Sequence, residues 1–233
     1  AVGYQALATE NTNSNNTAVG YQALKDQDGG DGNSAVGAFA LQDLTNASRC
    51  TAVGNYAGFS SQGADDCTFI GHDAGLFATT ATYSTFVGSQ AGQGVTGAKL
   101  TGTDNTAIGY GAGNDLQGSA GDNTFLGANA GGQVTTGSYN ILLGHDAGTH
   151  DNPISTGDNN IIIGNFSDVP SATGDNAIVM GYNVTGVGAD NFTFGRGTTD
   201  SNIAFGATSI SAPSDQRYKE EIADATAGLA FIK

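Results

Sequence analysis

A short phrase, N-T-A-V-G-x-x-A followed by Gly or Leu, returns along nearly the whole chain, and its spacing limits the possible folds more than any other property. It reads AVGYQAL up to Leu7, NTAVGYQAL up to Leu24 and NSAVGAFAL up to Leu41. CTAVGNYAG, CTFIGHDAG, STFVGSQAG, NTAIGYGAG, NTFLGANAG and NILLGHDAG follow, loosening to NIIIGNFSD and AIVMGYNVT, with weaker copies NFTFG and NIAFG. The anchoring glycines are Gly3, Gly20, Gly37, Gly54, Gly71, Gly88, Gly109, Gly127, Gly144, Gly164, Gly181, Gly195 and Gly206. The first five intervals are 17 residues, and the later ones are 21, 18, 17, 20, 17, 14 and 11. A steady period with occasional insertions specifies one solenoid coil per repeat, with the insertions in outward loops.

Each column of the repeat carries a structural implication. The residue before every anchor is apolar, from Val2 and Val19 to Phe194 and Phe205, and the one before that is mostly apolar too (Ala18, Phe69, Phe86, Leu142, Ile162). Neighbouring strand residues point to opposite faces, so both faces of this short strand are dry. One face is expected to fill the coil and the other to meet copies of the same chain around an axis. Asparagine four residues before the anchor (Asn16, Asn33, Asn105, Asn123, Asn140, Asn160, Asn191, Asn202) is expected to stack as a structural ladder. The anchor glycine and the alanine three positions after it imply tight backbone approach at a second corner. The position three before the anchor is Thr or Ser up to Thr124, then becomes Ile141, Ile161, Ile178, Phe192 and Ile203. This face is expected to pass from loosely packed to fully buried, with a taper after Gly181.

Composition removes other classes. The 233 residues include 37 Gly but only 3 Pro, which excludes collagen. An apolar content of 38% is too high for a disordered linker. No window approaches the ~20 apolar residues of a membrane helix, and no signal-peptide pattern opens the chain. The expectation is a soluble, β-rich segment excised from a longer chain, without membrane insertion. Seven Lys+Arg against 22 Asp+Glu give a net charge of −15, which repels nucleic acid and anionic lipid.

The repeat N-S/T-A-V/I-G-x-x-A resembles the head repeat of trimeric autotransporter adhesins, the YadA-like head, over roughly residues 1–206, although the 17-residue coils are longer than that family's. The resemblance implies a left-handed parallel β-roll, with three rolls packed side by side or intertwined as a homotrimer. Ser214-Asp215-Gln216-Arg217-Tyr218-Lys219, followed by Glu220-Glu221-Ile222, is similar to the start of the endosialidase-type intramolecular chaperone of phage tail fibres. That resemblance implies a self-cleaving dyad of Ser214 and Lys219, active only in a chain that carries the whole chaperone, because burial must lower the lysine pKa. It also implies a short helical C-terminus. The expected division is residues 1–181 as head repeats, 182–213 as tapering coils and tip, and 214–233 as the start of the chaperone.

The implied function is an extracellular fibre or adhesin, on a cell surface or a virion tail, that binds a surface receptor, expected to be a carbohydrate. In chaperone-tailed fibres the end beside the chaperone is usually distal, which makes Tyr182, Asn183, Asp190 and Arg196 the tip candidates. Phe192, Phe194 and Phe205 are read as core, since their columns are apolar. Cys50 and Cys67 share the asparagine column one coil apart. The ~4.8 Å coil rise falls within disulfide Cα separations, so a bridge is expected, fitting an oxidising compartment.

Enzyme chemistry finds little support. His72-Asp73 and His145-Asp146 occupy the same slot four coils apart, too distant to share a metal, and read as solvated pairs. The Gly-Asp-Asn triplets at 121–123, 157–159 and 174–176 lack calcium-roll spacing. No metal or cofactor is expected. A glycan-depolymerising tailspike would need paired carboxylates in a groove, and the coil is expected to offer none. A purely structural shaft without binding is a further alternative. An ice-binding solenoid would need an exposed Thr array, whereas the Thr column is expected to face inward.

Overall fold

The computed structural model describes residues 1–9, 15–197 and 199–207. It is an all-β parallel solenoid in which each coil adds one strand to a single sheet, in chain order throughout. The strands are β1 (Thr17–Val19), β2 (Ser34–Val36), β3 (Thr51–Val53), β4 (Thr68–Ile70), β5 (Thr85–Val87) and β6 (Thr106–Ile108). They continue as β7 (Thr124–Leu126), β8 (Ile141–Leu143), β9 (Ile161–Ile163), β10 (Ile178–Tyr182), β11 (Asn191–Arg196) and β12 (Thr199–Ala204). Like residues pair with like from coil to coil: Thr17 with Ser34, Ala18 with Ala35, Val19 with Val36, and so on to Met180 with Phe194. An isolated parallel bridge, Val2 to Val19, extends the stack by one coil at the N-terminal end. Among the described residues no helix is long and apolar enough to cross a membrane.

The anchor glycines from Gly3 to Gly195 have φ between +132° and +150°, a conformation closed to ordinary L-residues. They are also packed too tightly for a side chain. A Cβ on Gly20 would sit 2.6 Å from the carbonyl carbon of Gly37, and most of the later anchors repeat that contact. The strand therefore ends at the same sharp corner in β1–β9, whereas β10 and β11 run through their anchors to Tyr182 and Arg196.

Only the middle residue of each short strand points into the coil. Ala18, Ala35, Ala52, Phe69, Phe86, Ala107, Phe125, Leu142, Ile162 and Val179 are all fully buried. Leu24, Leu41, Leu44, Leu100, Leu116 and Ile154 fill the rest of the interior with the corner alanines. The asparagine ladder lies inside as well. Asn140 Nδ2 donates to Asn123 Oδ1 (3.2 Å) and to Gly157 O (2.8 Å). Asn160 N and Nδ2 in turn donate to Asn140 Oδ1 at 3.0 and 3.1 Å. The Gly-Asp-Asn triplets feed a parallel ladder, in which Asp175 Oδ1 accepts from Asp158 N and Asp158 Oδ1 from Ser138 N, each at 2.7 Å.

Four expectations are corrected here. The Thr column does not face inward: Thr17, Thr51 and Thr124 are exposed on the same outer face as the Val/Ile column, because residues two apart in a strand share a side. The later apolar column is not buried within the chain, since it lies on that outer face and Ile141 is 38% exposed. Phe192 and Phe194 flank the buried Thr193 and lie outward with their rings 5.0 Å apart, and Phe205 is exposed. Finally, NIAFG is not another coil. β12 runs antiparallel to β11, pairing Asn191 with Ala204 and Arg196 with Thr199. An 11-residue interval is too short to circle the core, so the chain folds back as a hairpin. The parallel stack then ends at β11, eleven intervals after Val2, for a length of roughly 53 Å at ~4.8 Å per coil.

Candidate functional site

The outer face of the sheet is the first unusual surface. Of the ten residues that precede the anchors of β1–β10, eight are between 36 and 47% exposed: Val19, Val36, Val53, Ile70, Ile108, Leu126, Ile163 and Met180. Stacked at the strand spacing, they form an apolar stripe with no charge in it. Beside it runs the Thr column of β1–β7, which turns to Ile at β8, so the stripe doubles in width over β8–β11. Valine and isoleucine occupy these strands because β-branched chains suit a pleated surface. Their outward direction leaves apolar area in water that a soluble monomer rarely retains in one patch.

The corner after the strand carries a second set of ladders. Towards the N-terminal end they are aromatic: Tyr4 stacks on Tyr21 (5.4 Å), Tyr21 meets Phe39 edge-on (5.2 Å), and Phe39 stacks on Tyr56 (4.7 Å). Phe39, Tyr56 and the equivalent residues of most coils have φ near +50° to +62°, so the corner holds side chains in left-handed backbone. Near the other end Phe166 is ringed by His145, His150 and Tyr182 at 5.1, 5.0 and 5.9 Å. The histidines pair with their own following aspartates, His72 Nδ1 to Asp73 at 3.1 Å and His145 Nδ1 to Asp146 at 3.2 Å. Among the described residues no group of three His, Cys, Asp or Glu side chains could hold a metal ion.

Between these aromatic ends the corner opens into a groove, contrary to the expectation that the coil offers none. Its volume is about 370 Å³, within the range of small-ligand sites. The opening has a simple origin. Gly111 stands where neighbouring coils present Gln90 and Asn129, and Gly132 stands where they present Asn114 and Thr149. The walls are planar polar groups tied to one another. Asn114 Nδ2 donates to Gln93 Oε1 (3.0 Å), and Asn129 Nδ2 to Asp146 Oδ1 (3.0 Å). Thr149 Oγ1 donates to Asn129 O (3.1 Å). Asp115 is half-buried on the same wall, and burial pushes its carboxyl above the usual aspartate range. Its carboxylate has no hydrogen-bond or ion-pair partner among the described residues, and Tyr110 lies at the rim, 58% exposed.

The tip candidates separate in space. Tyr182 ends β10 and Arg196 ends β11; the two are partners across the sheet, with the Arg196 guanidinium 5.9 Å from the Tyr182 ring centre. Asn183 follows Tyr182 at an exposed left-handed corner. Asp190 precedes β11 and so lies at its far end, about 20 Å from Arg196 at strand rise. Ser214 and Lys219, with the segment expected to form the helical C-terminus, lie outside the described residues.

Cys50 and Cys67 are both buried free thiols rather than a disulfide. Each replaces an asparagine as a donor in the ladder. Cys50 Sγ donates to Ala64 O (2.8 Å) and Cys67 Sγ to Ala81 O (3.1 Å), 14 residues ahead, as Asn123 Nδ2 does to Gly137 O. The adjoining Cys50 sulfur, followed by burial, pushes the Cys67 thiol up, so it is a poor thiolate. The cysteines give no argument for an oxidising compartment. Sequence reasoning missed the groove residues because single Gly-for-Asn and Gly-for-Gln exchanges create it, and the corner was read only through its glycines and alanines. No family model, curated protein or solved structure matches this chain.

Proposed function

We propose that this chain is a segment of a self-associating extracellular fibre, in which three copies pack their sheet faces around one axis and display a receptor contact for a surface carbohydrate on a target cell. The observation that carries it is the apolar stripe from Val19 to Met180, which a single chain leaves in water. A lengthwise stripe on a straight stack is self-complementary under rotation about the stack axis, which suits a closed cyclic oligomer. Widening of the stripe at β8–β11 favours firmest contact at that end. The left-handed winding, the three-fold stoichiometry and the chaperone-assisted assembly implied by the sequence resemblance belong to this reading.

Light scattering coupled to size exclusion tests it. The chain is expected to run as a trimer, and the pair Ile70→Lys with Ile108→Lys is expected to yield a folded monomer. A wild-type monomer at all concentrations overturns the reading. A second reading gains from the outward Thr column: Thr and Val in register on one outer face form the kind of regular array that ice binding needs. A monomer that shows thermal hysteresis, lost on Thr51→Lys, would favour that reading over the fibre.

A further inference from the structure

We infer that the groove over the corners of Gln90, Gly111, Asn129 and Asp146 is a binding subsite for a neutral carbohydrate chain, placing receptor contact on the flank of the stack rather than at its end. The inference rests on the carbohydrate-receptor reading above and adds where and what. The lining identifies the class of ligand by what it contains and what it excludes. It has no Lys or Arg, and Asp115 and Asp146 add negative charge to a chain already at −15, so phosphates, sulfates and acidic sugars are repelled. It has no aliphatic side chain, so an acyl chain or an apolar peptide finds nothing to bury against.

The remaining chemistry is that of a polyol. A side-chain amide presents a donor and an acceptor in one plane, which suits adjacent hydroxyls that are themselves both. Gln90 and Gln133 supply such amides from different coils, with Gln93 and Asn114 between them. The Asn114–Gln93 and Asn129–Asp146 bonds fix part of this wall before any ligand arrives, which reduces the ordering cost of binding. Asp115 supplies the strongest acceptor. Its carboxylate is drawn out of water without a protein donor, and two neighbouring hydroxyls would restore what burial removed. Tyr110 offers an exposed ring on which the C–H face of a pyranose can stack. The coil rise is close to the length of one sugar ring, so equivalent side chains on successive coils can address successive residues of a chain.

Calorimetric titration of the whole chain with a panel of neutral hexose and N-acetylhexosamine oligosaccharides tests this. At least one is expected to bind, and Asp115→Ala is expected to weaken it about tenfold, the value of one charge-assisted hydrogen bond. Gly111→Gln is expected to abolish binding by filling the groove. It should fold, because Gln22 and Gln90 take the same corner at φ of 55° and 61°. Tyr182→Ala with Arg196→Ala is expected to leave binding unchanged. Binding lost in that pair but kept in both groove variants overturns the placement while leaving the receptor reading intact. A trimer that binds no neutral oligosaccharide, or only acidic ones, overturns the inference but not the fibre. A monomer that binds none removes both.

Discussion

Asn140 uses every polar atom of its side chain inside the coil, donating to Asn123 Oδ1 and Gly157 O while accepting from the backbone and side-chain N–H groups of Asn160. Asn140→Ala leaves the Asn160 backbone N–H and the Gly157 carbonyl without partners in a dry interior, while Asn160 Nδ2 keeps Gly174 O. A loss of about 2–4 kcal/mol is expected, from one or two stranded groups, and urea unfolding followed by circular dichroism would measure it. The cysteines of the same column should behave as buried ladder donors. A thiol reagent is expected to label neither Cys50 nor Cys67 in the folded chain and both after unfolding without reductant; no labelling after unfolding would show a bridge instead. Recurrence of asparagine at one offset was enough to read stacking from the sequence. Spacing alone placed the two cysteines together but not their partners, which lie 14 residues ahead on a wall whose position depends on the cross-section of the coil. Tyr83 and Tyr139 were illegible for another reason. They occupy left-handed corners, φ 59° and 61°, where most other coils use Asp, Asn or Gly.

The coils of β1, β2, β4, β5 and β7 fill the same space in one of two ways. In β1 and β2 the strand centre is small and the residue six positions later is large, Ala18 with Leu24 and Ala35 with Leu41. Where the centre is phenylalanine, that position is glycine: Phe69 with Gly75, Phe86 with Gly92 and Phe125 with Gly131. In β3 and β6, by contrast, the small Ala52 and Ala107 face Gly58 and Gly113, and Leu41 with Phe69 and Leu116 with Phe125 close the gap. A Cβ on Gly92 would lie 2.5 Å from Phe86 Cγ, so ring and side chain compete for one space. Phe86→Ala alone is expected to cost about 3–5 kcal/mol through the cavity it leaves, and Gly92→Leu alone to destabilise by overpacking. Together they recreate the Ala–Leu coil, since Leu24 and Leu41 sit there at φ 50°. The double variant is expected to be more stable than the sum of the single losses by about 1–3 kcal/mol, which a double-mutant cycle of thermal unfolding would show. The parallel stack was legible from the period. Which face of the strand points inward was not, because both columns are apolar and alternation distinguishes sides without naming them. The deciding signal is volume: the inner column varies from Ala to Phe, with a compensating residue six positions on in β1, β2, β4, β5 and β7, while the outer one stays at the size of Val or Leu through β9. The reversal at β12 was readable in principle, since 11 residues cannot make a coil that elsewhere takes 14 to 21.

The proposed assembly of three copies would bring together three times −15, or a formal charge of −45, along a common axis. The apolar stripe must outweigh that repulsion, so association should respond to salt in the opposite sense to a contact held by ion pairs. Screening shortens to a Debye length of about 10 Å at 0.1 M, and the dissociation constant is expected to fall as salt rises from ~20 mM to ~0.5 M; sedimentation equilibrium would read it. Acid should act in the same direction. Burial raises the carboxyls of Asp115, Asp168 and Asp43, with Asp26 adding to the last, whereas the hydrogen bond from Arg49 lowers Asp66. A raised carboxyl makes the folded chain bind more protons than the unfolded one between the ordinary aspartate value of 3.8 and the folded value. Its stabilising contribution is therefore complete below 3.8 and lost as pH climbs through the folded pKa. Asp66 opposes this, contributing above 3.8 and losing its contribution as pH drops through its lowered value. Among the described residues three groups are raised against one lowered and half-exposed, and repulsion eases as carboxylates protonate, so the melting temperature should rise as pH falls from 7 towards the ordinary aspartate value of 3.8. A fall over that interval, measured at fixed ionic strength, would mean that paired carboxylates hold this stack together rather than the Asn ladder and the core that Phe69, Phe86 and Phe125 fill.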